Sequence, residues 1–187
     1  MVPILSLWLP IVVSAVFVFL VSFALHMVLT YHYTDFRKVP DENAFADALR
    51  KLGIPPGEYM FPYAGSPKES RAPEFQKAME QGLGTMLTVW PGGRPSMVNS
   101  LVQWFIYCVV VGVFAAYIAG RALGPGAEYL SVFRFAGCTA FACYAVAGWQ
   151  RTIWFRESWT TTAKNSFDGL VYAAVTAGTF GWLWPSM

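Results

Sequence analysis

Charge is what this chain has least of. Only 13% of its 187 residues are Asp, Glu, Lys or Arg, while 56% are apolar and 17% aromatic. A soluble domain of ordinary composition carries about 25% charged residues, so this balance excludes that class. The net charge of +2 comes without a dense basic stripe, which argues against nucleic acid as a partner.

Histidine is nearly absent: His26 and His32 are the only two, both at the end of one apolar run. A haem held by two histidines inside a membrane needs ligands from opposed helices, so none is expected. His26 with Met27 and a distant cysteine is no recognisable metal set. Neither a cofactor nor a metal site is therefore expected. Cys108, Cys138 and Cys143 form no C-x-x-C pair and read as small apolar core residues. Also lacking are G-x-S-x-G, Walker and dinucleotide sequences and any visible nucleophile–base pair, so no catalytic residue is named and no enzyme is expected. Gly92-Gly93-Arg94 reads as an ordinary turn. No Lys or Arg precedes Arg37, and the first apolar stretch is about twice the core of a signal peptide. It reads as a retained helix, kinked near its outer end by Pro10.

What is present is four long apolar runs, at about residues 3–30, 98–120, 128–149 and 167–184. A helix needs about 20 residues to cross a ~30 Å hydrocarbon layer. The expected fold is an all-α integral membrane protein, a four-helix transmembrane bundle with a small α-rich cytoplasmic insert at 34–97 between helices 1 and 2. Of the 13 Lys and Arg, eight lie in that insert, and Arg151, Arg156 and Lys164 lie in or beside the 150–165 connection. The positive-inside rule puts both loops in the cytoplasm and both termini outside, with Arg37, Lys38, Arg151 and Arg156 deciding. Trp8, Trp182 and Trp184 mark the outer level, and Trp90, Trp104, Trp149, Trp154 and Trp159 the inner. A bacterial inner membrane is the expected location.

The insert reads as folded. Asp41–Leu52 is an amphipathic helix stopped by Gly53, with Phe45, Ala48, Leu49 and Leu52 on one face. Pro73–Gln81 is a second, stopped by Gly82. Residues 54–62 are extended, and 85–90 form a strand or an interfacial segment. With few apolar anchors, the insert is expected to lean on the membrane surface or a partner.

Apolar burial gives no preference for a neighbouring helix over lipid, so close backbone approach must hold the helices together. Gly169, Ala173, Ala177 and Gly181 recur every four residues, and Gly112, Ala116 and Gly120 repeat the scheme in the second run. These stripes are expected to pack the chain's own helices, or else a partner.

Ionisable groups at membrane depth are the functional candidates. Asp168 opens the fourth run, where it caps a helix or handles protons or ions. His26, Asp168, Gln103 and Arg151 share one level and are candidates for a polar cluster, although helical geometry does not show that their faces meet. Arg134 lies inside the third run and snorkels outward or contacts a lipid phosphate or substrate.

Together these features point to a non-enzymatic multi-pass component, an accessory or assembly subunit with the lipid bilayer and a protein partner or second copy as its contacts. The alternative is an oligomeric small-solute or proton-coupled transporter using His26, Asp168 and Arg134. An enzyme acting on lipid ranks third.

Overall fold

The computed structural model describes residues 1–82, 84–92 and 95–186. The Gly92-Gly93-Arg94 turn therefore lies partly outside the described residues. In chain order the elements are α1 (Trp8–Phe23), α2 (Glu42–Leu52), β1 (Gly57–Phe61), α3 (Pro73–Glu80), β2 (Thr85–Val89), α4 (Met97–Ala122), α5 (Tyr129–Tyr144), α6 (Trp149–Phe155) and α7 (Trp159–Trp182). They form two units, one of Met1–Phe36 with Ser96–Met187 and one of Arg37–Pro95.

Three helical stretches are long and apolar enough to cross a membrane: Ile4–Val28, Met97–Ala122 and Tyr129–Phe155. This fits a membrane protein. α7 is not among them, because its first half is polar (Thr160, Thr161, Thr162, Lys164, Asn165, Asp168). It also begins well before the expected 167, at a cap in which Ser158 Oγ accepts the Thr160 N–H at 3.2 Å. The third run is interrupted: α5 ends at Tyr144, a 3-10 turn covers Val146–Gly148, and α6 continues to Phe155. At the N-terminal end of α1 a 3-10 turn, Ile4–Leu7, gives way to α-helix, and Pro10 lies just beyond that change. It sits in the first turn of α1, where a missing N–H costs no helical bond.

α1 packs against α4 and α7, and α5 against the same two. Small residues set these approaches. A Cβ on Gly112 would stand 3.3 Å from Ile11 Cγ2, and one on Gly120 only 2.7 Å from the Val2 carbonyl oxygen. The Val2 N–H donates to the Gly120 carbonyl at 2.8 Å, locking that end. On α7, a Cβ at Gly169 would meet Ala145 Cβ at 2.8 Å, and one at Gly181 the Tyr129 ring at 2.6 Å. Ala116, Ala173 and Ala177 are buried in the same contacts. Both stripes are thus occupied within the chain. Between the helices the fill is apolar, with Leu7, Ile11, Ala115, Val132, Ala136 and Phe180 at one level and Ala15, Val18, Cys108 and Tyr172 at another.

The 37–95 unit follows its local signals. Asp41 caps α2 by accepting the Ala44 N–H at 2.9 Å, and Gly53 ends it with φ of 60°. Pro73 opens α3, and Gly82 follows it with φ of 73°. β1 and β2 pair antiparallel, from Gly57 opposite Val89 to Phe61 opposite Thr85. Among the described residues of this unit, Pro62 alone is buried. It has a fold without a core of its own.

Candidate functional site

The site begins where α1 loses its regular turn. The Leu29 N–H bonds the Ala24 carbonyl five residues back, at 3.2 Å, so Ala24–Val28 form one wide turn with His26 in its middle. Such wide turns re-aim side chains and recur at functional sites. Leu29 is extended, and a 3-10 turn at Tyr31–Thr34 then folds the chain back toward α7. There it meets Lys164 and Asp168, one helical turn apart on the same face.

Asp168 is buried, with only 3% of its surface exposed. One carboxylate oxygen accepts the Tyr31 hydroxyl. The other lies 2.8 Å from His32 Nε2. The second imidazole nitrogen of His32, Nδ1, is 2.5 Å from Asp35 Oδ2, and Asp35 Oδ1 accepts from Lys164 Nζ at 2.7 Å. Lys164 also donates to the Tyr31 carbonyl at 2.7 Å and to Thr34 Oγ1 at 2.8 Å. An ordered chain results, Tyr31–Asp168–His32–Asp35–Lys164, in which every carboxylate oxygen has a polar partner.

The charges suit one another. Burial disfavours a charge on His32, but hydrogen bonds to Asp35 and Asp168 outweigh it and raise its pKa above the usual imidazole value. Burial likewise works against the Asp35 carboxylate, yet Lys164 and His32 hold its pKa below the ordinary carboxylate range. Burial and then the bond to Asp168 push the Tyr31 hydroxyl up, keeping it a donor.

His26 completes the group from the rim. Its Nε2 stands 4.0 Å from Asp168 Oδ2, and its side chain is 49% exposed. Its ring meets His32 edge-on, with centroids 4.6 Å apart. His26, His32 and Asp168 each offer one ligand atom, all within 4.8 Å of one another, a set with the donors to hold a metal ion.

The sequence-derived candidates divide accordingly. His26 and Asp168 come together. Gln103 is exposed on α4, Arg134 is exposed on α5, and Arg151 on α6 pairs with Glu157 at 2.6 Å. Asp168 is not a helix cap, because Ser158 caps α7 and Asp168 lies well inside it. Sequence reasoning passed over Tyr31, His32, Asp35 and Lys164. Two local signals pointed to them, His32 three residues before Asp35 and Lys164 four before Asp168, but neither reports that the chain folds back after Val28. Comparison with protein-family models, with curated proteins and with solved structures finds no match for this chain.

Proposed function

We propose that this chain is a non-enzymatic, multi-pass membrane component, an accessory or assembly subunit of a membrane complex. In this reading α1, α4, the α5–α6 stretch and α7 form a four-helix membrane bundle, the insert at residues 34–97 is cytoplasmic and both termini lie outside. A bacterial inner membrane is the proposed location, and the Lys and Arg distribution supports the orientation.

The observation that carries the reading is the coreless 37–95 unit. Phe45 and Leu52 on α2, Met60 and Phe61 on β1, Met79 on α3 and Met86 on β2 are all exposed. An ordered fold that leaves this much apolar surface uncovered gains stability from a further surface. The small-residue stripes are already filled by the chain's own helices, so the partner surface is assigned to this unit, with the apolar face of α2 as its centre.

The test is isolation of the full chain in mild detergent from its native membranes. A stoichiometric protein partner is expected, released when Phe45 and Leu52 are both changed to Asp while the helical content is retained. A lone chain or a pure homo-oligomer overturns the reading. Small-solute transport is the second reading, favoured by the buried Asp168 beside His26; the apolar fill between the helices supports the first.

A further inference from the structure

We infer that His26, His32 and Asp168 form a binding site for one divalent transition-metal ion of the zinc class. Tetrahedral zinc with bonds of about 2.0–2.2 Å holds its ligand atoms about 3.3 Å apart. The two imidazole nitrogens lie 2.8 and 4.0 Å from Asp168 Oδ2, on either side of that spacing. Seating an ion opens the His32 pair by about 0.5 Å, closes the His26 pair by about 0.7 Å, and draws the two imidazole nitrogens, which lie within 4.8 Å of each other, to the same spacing. The wide turn carrying His26 and its half-exposed side chain give room for the second adjustment.

The surroundings are those a metal site needs. A ligating histidine keeps its tautomer and direction by donating its other N–H to a carboxylate. His32 does this through Nδ1 to Asp35, which Lys164 in turn holds in place. Tyr31 occupies the second oxygen of Asp168, leaving Oδ2 for the ion. On binding, the ion takes the place of a proton at His32 Nε2, which leaves to solvent. Two imidazoles and one carboxylate favour Zn²⁺ and its neighbours over Mg²⁺ or Ca²⁺, which prefer oxygen ligands alone. The exposed side of His26 leaves a fourth position open to water or to a small ligand.

The test is calorimetric titration of the full chain, in detergent and without a polyhistidine tag, with ZnCl₂ and then MgCl₂. Co²⁺ serves as an absorbance reporter of tetrahedral geometry. One equivalent of Zn²⁺ and no saturable Mg²⁺ are expected. His26→Ala leaves every hydrogen bond of Asp168 in place, so its fold is retained, and it should weaken Zn²⁺ binding at least about tenfold. Asp35→Asn, which touches no ligand atom, should weaken it about 10–100-fold. No saturable zinc uptake, or uptake unchanged in both variants, overturns the site. Neither readout depends on capturing a partner protein, so this site and the accessory role stand or fall separately.

Discussion

Asp168 on α7 and His32, 136 residues earlier, meet at 2.8 Å, oxygen to imidazole nitrogen. This contact closes the segment that follows α1 onto the helix that ends the fold. It turns an otherwise polar interruption in α7 into a joint.

Removing the joint should be costly. Asp168→Ala leaves the Tyr31 hydroxyl and His32 Nε2 without their acceptor at a position that is itself buried. Breaking a buried charged pair costs about 3–5 kcal/mol. Thermal unfolding in detergent should therefore show a large loss for Asp168→Ala and a small one for Arg134→Gln, whose side chain is exposed.

Lys164 ties three groups of the 31–35 segment to α7. Lys164→Met should speed hydrogen exchange at the amides of Tyr33 and Asp35, which bond Thr30 and His32 within that turn. Exchange in α4 should be unchanged.

Much of this architecture could be read from the residues, and the part that could not has a physical reason. Three apolar helices follow from length and hydropathy alone. So do both ends of α2, since an Asp cap and a left-handed glycine are local signals. The start of α7 escaped because hydropathy measures contact with lipid, whereas Lys164 and Asp168 face the chain's own joint and Thr162 meets Thr152 of α6. His32 escaped because a reversal after an irregular turn leaves no periodicity behind. The pairing of β1 with β2 was hidden by α3 between them. Gln103 shared a level with Asp168 along the helix axis, but level does not determine face.

Glycine substitutions should separate close contact from open space. A Cβ at Gly169 would lie 2.8 Å from Ala145 Cβ and 3.1 Å from its Cα. Gly169→Ala should then destabilise by about 1–3 kcal/mol, the usual range for overpacking. Gly148 has helical φ of −73° and nothing within 4 Å, so Gly148→Ala should be neutral or stabilise by about 0.5 kcal/mol. Unfolding midpoints of the two variants check the order.

In the 37–95 unit, Asp41→Ala removes the side-chain acceptor at the start of α2. The expected loss is about 1 kcal/mol, read as faster exchange of the α2 amides with the membrane-unit helices unaffected.

The most direct measurement is a double-mutant cycle on His32→Ala and Asp168→Asn, each alone and together, by unfolding of the full chain in detergent. If the two side chains meet as described, the effects are non-additive, with a coupling of about 1–3 kcal/mol. Additivity within about 0.5 kcal/mol would mean that they do not share a contact, and would contradict the joint and the metal site built on it.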